Sequence, residues 1–282
     1  MERRGILLVI GAALLWSTGG IGIKAVADPA LKVAFYRSLF AAIALFVFFR
    51  PRYFRFTFAF FTAIVSYAAC LTTFVIATKW TTAANAIFLQ YAAVVWVLLF
   101  SPLFLNEKWR GKDVIAIATA LGGMALFFVG RFEARGMAGN LMALLSSIFF
   151  AILVISLRRE RGEAAQSAVT WGNVVAAVAI LPFITSDLAL TPKSAGVLLF
   201  LGIFQIGAAY ALFVAGLEHV TATQASLTGM IEPVSNPIWV FLFLGERPTP
   251  WAVIGGAIVL AAIAWRTLSV GPTPDAEIPL PD

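Results

Sequence analysis

Glu232 is a carboxylate within a long apolar stretch that begins near Thr221, and Pro233 and Pro237 follow it. At about 1.5 Å per helical residue, its side chain would lie roughly 15 Å into a helix, near the middle of a bilayer. A charge there costs about 2.5 kcal/mol or more, so it needs a wet cavity or a partner. Each proline also removes a helix hydrogen bond. A buried acid at a disturbed helix indicates a solute pathway, in which it binds an ammonium group or takes a proton. A protonated or hydrogen-bonded acid that only packs between helices is the alternative.

Further polar and aromatic side chains occur deep within apolar stretches. Amides need hydrogen-bond partners in hydrocarbon, so Gln90 and Gln205 would line a cavity or bond to another helix. Asn236 lies one helical turn after Glu232 and is its expected partner. Trp16 is too deep to be an interfacial anchor, and it would form a cavity wall or pack against lipid. The candidate substrate-binding residues are Trp16, Ser17, Thr18, Tyr67, Gln90, Tyr91, Gln205, Tyr210, Glu232 and Asn236.

Two further sets of side chains have competing interpretations. Tyr67, Cys70 and Phe74 form one stripe of a helix, which favours packing and leaves an aromatic cavity wall as the alternative. Arg37 and Lys24 lie near the outer ends of their apolar stretches, so we expect their long side chains to reach the interface. The alternatives for Arg37 are recognition of a substrate carboxylate and pairing with a protein carboxylate such as Glu218.

The composition determines the kind of element that must position these residues. The 282 residues are 61% hydrophobic and 12% charged, with a mean hydropathy of +0.94, whereas a soluble domain carries about 25% charged residues. The apolar residues form runs of about 20, the length of a helix that crosses a bilayer, without the alternation of barrel strands. An all-α membrane protein is predicted, with the lipid bilayer around it. The net charge of +6 lies mainly in short loops and predicts membrane topology, with no nucleic-acid partner.

Enzymatic chemistry is not expected. Cys70 and His219 are the single cysteine and the single histidine, so an intrachain disulfide is excluded and no Cys/His metal cluster is predicted. Nucleophilic and metal-assisted catalysis need constellations that these residues cannot supply. The sequence also has no glycine-rich phosphate loop for ATP-driven transport. We therefore expect neither a cofactor nor a metal.

Ten membrane spans are predicted from the apolar runs. Twelve Lys and Arg residues fall in the segments on one side and six in the loops on the other, which places both termini in the cytoplasm. The proline-rich tail is expected to be disordered. The spans are 5–27, 31–49, 56–78, 82–104, 112–130, 136–157, 167–185, 194–217, 222–244 and 249–268.

The two halves of the chain align when one is shifted by 139 residues. Thr82-Ala83 then falls on Thr221-Ala222, and Glu107 falls on Glu246. Because each half has five spans, the second is inserted upside down, which is typical of secondary transporters with a site between the repeats. Each of the two acids stands beside a basic residue, so local pairing is expected and gating is the alternative. The predicted divisions are a first five-helix repeat at 1–130, an inverted repeat at 136–268 and the tail at 271–282.

These features resemble the drug/metabolite transporter superfamily, in particular its ten-helix EamA type. The resemblance covers residues 1 to about 270, and within the family the chain is most similar to the YddG-type exporters of aromatic and other amino acids. It implies export of amino acids or related metabolites across the inner membrane, through a central cavity lined by spans 1, 3, 4, 6, 8 and 9. The residues that carry it are Trp16 to Gly20, Phe35 to Arg37, Gly122-Gly123, Gly255-Gly256, Glu232-Pro233 and the span ends at Glu107 and Glu246.

The leading hypothesis is therefore a secondary transporter that exports amino acids, hydrophobic and aromatic ones included, by alternating access. Aromatic side chains would stack on the solute or attract its cationic group. An exporter of drugs or organic cations, or of other metabolites, remains an alternative, as does a facilitator that needs no proton. An antiporter for nucleotide sugars or sugar phosphates would need buried basic residues, which the expected positions of Lys24 and Arg37 do not provide. Because both repeats lie in one chain, a monomer is expected to suffice.

Overall fold

The computed structural model describes residues 2–49, 51, 53–108, 110–126, 129, 136–244 and 249–269. These residues form helices and contain no β-strand, which confirms the predicted all-α class. A 3-10 turn at Leu181–Phe183 follows α9, and a π-helix at Leu201–Ala208 joins α10 to α11. The α-helices are α1 (Glu2–Trp16), α2 (Gly19–Ala25), α3 (Ala30–Phe49), α4 (Phe58–Trp80), α5 (Ala83–Gln90), α6 (Ala93–Leu105), α7 (Gly111–Leu126), α8 (Met137–Glu160), α9 (Gly162–Ile180), α10 (Pro192–Phe200), α11 (Ala209–Leu217), α12 (Ala222–Gly229), α13 (Ile231–Leu244) and α14 (Pro250–Leu268).

Eight helical stretches within the described residues are long and apolar enough to cross a membrane. The other two predicted spans coincide with α7 and with α12 followed by α13. The ten-span inverted topology itself stays a prediction, and Glu246 and the tail at 271–282 lie outside the described residues. The eight stretches are Glu2–Ala25, Ala30–Phe48, Phe58–Trp80, Ala83–Leu105, Met137–Glu160, Gly162–Phe183, Pro192–Leu217 and Pro250–Leu268.

Threonine side chains cap the N-termini of α4, α5, α10, α12 and α14. The hydroxyls of Thr57, Thr82, Thr191, Thr221 and Thr249 each accept a hydrogen bond from the backbone N–H three residues later. Such a cap satisfies a backbone donor that has no partner within the helix, and it contributes about 1 kcal/mol. The two threonines that the 139-residue shift aligns, at the starts of α5 and α12, therefore have the same local role.

Several long helical stretches are interrupted near their middle. The first breaks between α1 and α2 at Ser17 and Thr18, where both hydroxyls donate to backbone carbonyls three residues earlier. A second breaks between α5 and α6 at Tyr91–Ala92, and a third between α12 and α13 at Met230. The stretch from α10 to α11 is widened by its π-helix. Bonds from Ser and Thr side chains to the preceding turn bend helices, and π-helical turns occur often at functional sites.

The break before α13 follows from the sequence, whereas the break after α5 has no proline. Pro233 lacks the N–H that would bond to the carbonyl of Gly229 four residues earlier, and Tyr91 Oη donates to that carbonyl at 2.6 Å instead. In the other break, the N–H groups of Ala92 and Val94 bond to the carbonyls three residues before them. This shorter bonding pattern tightens the turn as in a 3-10 helix.

Helices of the two halves are interleaved rather than segregated. The most extensive contacts join α4 to α8 and α9, α1 to α11, and α3 to α9 and the π-helix, in addition to α7 with α14. Gly202 allows α3 to approach the π-helix closely, because a Cβ at this position would lie 2.5 Å from Phe40 Cβ and 2.9 Å from Arg37 O. The backbone of α3 at Arg37 is therefore held directly against the π-helix.

Arg158 and Glu107 form a buried ion pair at one end of the bundle. Arg158 Nε lies 2.9 Å from Glu107 Oε1, and Arg158 Nη1 donates to Leu217 O at 2.6 Å. The other carboxylate oxygen of Glu107 accepts from the backbone N–H of Ala222 at 3.0 Å, at the start of α12. The prediction that Glu107 pairs locally with Lys108 is therefore wrong. The partners of Glu107 come from the second half of the chain.

Two other charged clusters connect parts of the chain that are distant in sequence. Arg266 of α14 forms a buried ion pair with Asp113 of α7. Lys32, near the start of α3, lies 3.0 Å from both Asp28 and Asp187. These basic side chains are paired with carboxylates that lie outside the middle of the bundle.

Candidate substrate pocket

A pocket lies where the helix interruptions meet. The empty space between its walls is about 420 Å³ when the open solvent at its mouth is included. Residues from α1, α3, α4, α5, α8, the π-helix, α11 and α13 contribute to its wall. The lining residues are Trp16, Arg37, Leu71, Phe74, Gln90, Tyr91, Phe150, Gln205, Ile206, Tyr210 and Glu232.

Glu232 lies in the first turn of α13, and its side chain is buried in the pocket wall. Its Oε2 atom is 2.8 Å from Tyr91 Oη. The prediction that Asn236 is the partner of Glu232 is wrong. The Nδ2 atom of Asn236 lies close to Gly20 instead, 3.2 Å from the position that a Cβ would take there. The acid of one interrupted stretch is thus bonded to the tyrosine of another.

Tyr91 Oη has two oxygen neighbours, Gly229 O at 2.6 Å and Glu232 Oε2 at 2.8 Å. A phenol has one proton to donate, and it can accept through its lone pairs. The carbonyl can only accept, so a full set of bonds forms when Tyr91 donates to Gly229 and a protonated Glu232 donates to Tyr91. An ionised Glu232 would compete with the carbonyl for the single proton.

Arg37 is also buried in the pocket wall, with only 2% of its surface exposed. Its position seven residues after Ala30 places it well inside α3, so the expectation that it reaches the interface is wrong. Lys32, closer to the helix start, makes the ion pairs outside the pocket. Arg37 Nη2 donates to Gln205 Oε1 at 2.6 Å. Its Nε and Nη1 atoms have no hydrogen-bond partner in the part of the chain that the structure describes.

Aromatic rings form one wall of the pocket. The ring of Trp16 lies 5.0 Å from that of Tyr210, 5.0 Å from Phe213 and 6.0 Å from Phe150, measured between centroids. These edge and tilted contacts are the favoured arrangements of aromatic rings. Trp16 Nε1 is buried and has no hydrogen-bond partner among the described residues. Gln205 Nε2 donates to Trp16 O at 3.3 Å and so connects this wall to Arg37.

Gln90 connects the pocket to α8. Its Nε2 atom donates to Ser146 Oγ at 2.9 Å and lies 3.6 Å from Cys70 Sγ. Ser146 Oγ in turn lies 3.1 Å from Cys70 O. These bonds satisfy the amide through a contact between the two halves of the chain.

Several predicted site residues lie outside the pocket lining. Tyr67 is fully buried behind the wall, where its ring packs 4.7 Å from that of Tyr210 and Asn173 Nδ2 donates to its hydroxyl at 2.8 Å. Ser17 Oγ accepts from Trp239 Nε1 at 2.6 Å. The predicted residues that the pocket brings together are Trp16, Gln90, Tyr91, Gln205, Tyr210 and Glu232, whereas Ser17, Thr18, Tyr67 and Asn236 do not line it.

The set of candidates did not include Arg37, Leu71, Phe74, Phe150 and Ile206. For Arg37 the signal was present, because a charge within an apolar stretch is a functional hypothesis by default. Phe74 was in the stripe of α4 for which an aromatic cavity wall was the alternative. The other three are apolar residues in apolar helices, and the sequence offers no signal that distinguishes them from packing.

A bundle of membrane-crossing helices around a pocket with buried polar side chains is typical of membrane transporters. The chain belongs to the EamA-like transporter family, whose model matches residues 3–129 and 137–268. This family is part of the drug/metabolite transporter superfamily, and the protein is therefore a multi-pass membrane transporter.

Related proteins share this assignment. An uncharacterized transporter of Archaeoglobus fulgidus is 26% identical over 94% of this chain and 97% of its own length. The pseudopaline exporter CntI of Pseudomonas aeruginosa is 23% identical over 92% of this chain and 94% of its own length. A protein of Streptantibioticus cattleyicolor named "Probable terminal-alkyne amino-acid exporter" is 22% identical over 64% of this chain and 63% of its own length.

A solved crystal structure supports the fold. It matches with a TM-score of 0.80 at 17% identity, and the match covers 95% of this chain and 98% of that chain. At this identity the likeness concerns the fold alone. The resemblance to YddG-type exporters in particular stays a prediction.

Proposed function

We propose that this transporter exports amino acids, with aromatic and hydrophobic ones included, and related metabolites by alternating access. The observation that carries the proposal is the carboxylate of Glu232 on the wall of a buried, aromatic-lined pocket. A carboxylate in this setting attracts a cationic group, and aromatic rings add stacking and cation–π attraction. Two relatives have names that refer to export of pseudopaline and of an amino acid, which is consistent with such a solute.

The ammonium group and the side chain of an amino acid each have a counterpart in the pocket. The ammonium group would bind at Glu232, and the side chain would pack against Trp16 and Tyr210. Gln90 would supply a polar contact on the side of α8. Ser17, Thr18, Tyr67 and Asn236 would act indirectly, by fixing the breaks and the wall around these groups.

Glu232 would exchange a proton for the solute ammonium. In the empty pocket, a protonated Glu232 completes the bonds of Tyr91, whose hydroxyl then donates to Gly229 O. An ammonium group supplies the positive charge that stabilises the ionised acid, so solute binding would release the proton. Export in exchange for protons from outside then uses the proton gradient of an inner membrane, with both termini in the cytoplasm.

The helix breaks would let the halves change their relative orientation. Transporters of this kind rock one repeat against the other around a fixed site, and that site is built from discontinuous helices. The family model matches the two halves separately, at 3–129 and 137–268, which supports two similar units in inverted orientation. A single chain would then suffice for transport.

Uptake of labelled phenylalanine into proteoliposomes tests the proposal. Purified wild-type protein and the Glu232→Gln variant are compared with and without a pH gradient. We expect saturable uptake by the wild type that a gradient accelerates. In the variant we expect no stimulation by the gradient and at least about tenfold slower transport, because an amide can neither carry the proton nor attract an ammonium group.

Glu163→Gln is the matched control, because Glu163 is an exposed acid in the first turn of α9. It should transport like the wild type. Uptake that no gradient changes would identify a facilitator that needs no proton. Transport of organic cations without any amino acid would contradict the proposal and favour the multidrug alternative.

A further inference from the structure

We infer that Arg37 recognises the carboxylate of the solute and thereby restricts the pocket to solutes that carry both a carboxylate and an ammonium group. This inference rests on the proposed amino-acid export and names the group that distinguishes amino acids from simple organic cations. It assigns to Arg37 a specificity-determining role in the pocket.

The hydrogen-bonding state of Arg37 is the first argument. A guanidinium has donors in a planar fork that fits a carboxylate. In Arg37, one nitrogen donates to Gln205, whereas Nε and Nη1 are buried on the pocket wall without a partner among the described residues. Buried donors are normally satisfied, so an unsatisfied one needs an explanation. An acceptor that arrives with the solute provides it.

A second unsatisfied donor lies in the same wall. Trp16 Nε1 is buried and lacks a partner within the described part of the chain, and Trp16 lines the same pocket as Arg37. Gln205 bonds to both residues, to the guanidinium of Arg37 and to the backbone carbonyl of Trp16. Donors on both sides of one amide therefore remain available to a group that only accepts, such as a carboxylate.

The position of Arg37 is fixed by the fold. Gly202 lets the backbone of α3 at Arg37 touch the π-helix, and the π-helix contains Gln205, whose amide oxygen accepts from Arg37 Nη2 at 2.6 Å. A guanidinium held in this way loses little further freedom when it binds an anion. The π-helix thus fixes the orientation of the Arg37 guanidinium through Gln205.

Arg37 and Glu232 line one pocket without forming an ion pair within 4.0 Å. A lone cation would complement Glu232 but leave Arg37 without an anion in a buried site. A lone anion would complement Arg37 but leave Glu232 without a cation. A solute that carries both charges complements both side chains, as an amino acid does.

The test compares phenylalanine with phenethylamine, which has the same ring and ammonium group but no carboxylate. Both labelled compounds are measured in proteoliposomes of wild type, Arg37→Gln, Arg37→Lys and the exposed-residue control Arg159→Gln. We expect the wild type and the control to prefer phenylalanine by about 100-fold or more in kcat/KM. Arg37→Gln should abolish that preference, and Arg37→Lys should retain part of it, since an ammonium replaces the charge without the fork.

Gln205→Glu tests the same site without removing the guanidinium. A carboxylate at this position would pair with Arg37 and occupy the donor that now binds the amide, so the solute carboxylate would meet a neutralised site. We expect the variant to lose most phenylalanine transport while phenethylamine transport stays or rises. Because the new ion pair holds α3 to the π-helix, this variant should fold even if Arg37→Gln does not.

The outcomes separate the two proposals. If the wild type carries phenylalanine and both Arg37→Gln and Gln205→Glu keep its preference over phenethylamine, the role of Arg37 is wrong and amino-acid export stands. If the wild type transports phenethylamine and phenylalanine with similar kcat/KM, the inference that the solute must carry a carboxylate is wrong. If the wild type carries no amino acid at all, the proposed function fails first.

Discussion

Two buried arginines in this transporter have opposite hydrogen-bonding states. Arg158, at the end of the bundle that holds Glu107, binds the carboxylate through Nε and a backbone carbonyl through Nη1. Among the residues that the structure describes, Arg37 in the pocket bonds only to Gln205. Their exposed fractions are similar, 6% and 2%, so burial does not account for the difference. A guanidinium that holds helices together is paired, whereas the one on the wall of the candidate substrate pocket has donors without a partner among the described residues.

Breaking the paired arginine should produce the largest loss of stability. Glu107→Gln leaves Arg158 buried without a counter-charge, and removal of one partner of a buried ion pair costs about 3–5 kcal/mol. We expect a clear fall in the thermal unfolding midpoint of the purified protein in detergent. The double variant with Arg158→Gln should lose less than the single one, because no unpaired charge remains.

Glu163→Gln serves again as the control and should leave the unfolding midpoint unchanged. A Glu107→Gln variant as stable as the wild type would mean that the ion pair contributes no net stability, and the contrast between the two arginines would lose its energetic basis.

Removing the pocket arginine should have a much smaller effect on stability. Arg37→Met replaces a buried, incompletely bonded cation with an apolar group of similar length, which removes the cost of burying a charge without a counter-charge. It also removes one bond to Gln205, which costs about 1 kcal/mol. We expect an unfolding midpoint equal to or above that of the wild type, together with loss of phenylalanine transport.

The same thermal unfolding measurement, made beside the transport assay, checks this expectation. A large loss of stability in Arg37→Met would show that Arg37 is a structural residue like Arg158.

The smallest effect is expected at the exposed edge of the bundle. Burial raises the pKa of the Asp28 carboxyl, but hydrogen bonds from Ser194 and Lys32 outweigh it, so the pKa lies below its ordinary value. A carboxyl whose pKa falls on folding stabilises the folded state above its unfolded pKa of about 3.9, and this contribution is lost as the pH falls towards the folded pKa.

Unfolding midpoints of wild type and Asp28→Asn, measured between about pH 3 and pH 7, check the sign of this effect. The wild type should be slightly more stable at neutral pH, and the difference should shrink as the pH falls from about 4 towards the folded pKa. A difference that grows on acidification would contradict the assigned shift.

The sequence predicts most of the helices and six of the eleven residues that line the pocket. Both predictions depend on local properties of the sequence. A run of about 20 apolar residues specifies a membrane-crossing helix by itself. The depth of a polar residue within that run depends only on its position, which is how Gln90, Gln205 and Glu232 could be found. The break at Met230 also has a local cause, because Pro233 withdraws a backbone donor.

The errors concern contacts between distant parts of the chain. Arg37 could be near the interface by position, but its direction depends on the π-helix and on Gly202, which lie far away in sequence. Likewise, i,i+4 spacing places Asn236 on the face of Glu232, yet the bond comes from Tyr91 in the other half. The helix break at Tyr91 has no nearby proline from which it could be predicted.

The hydrogen bond from Tyr91 to Gly229 has a consequence for how related sequences can diverge. The acceptor is a backbone oxygen, so no substitution at position 229 can delete it, and its availability is decided by the proline at 233. In a relative without that proline, the N–H at position 233 would bond to the carbonyl at position 229 within the helix. A tyrosine at position 91 would then lose one of its two hydrogen-bond partners. Positions 91 and 233, in opposite halves of the chain, should therefore change together across the family.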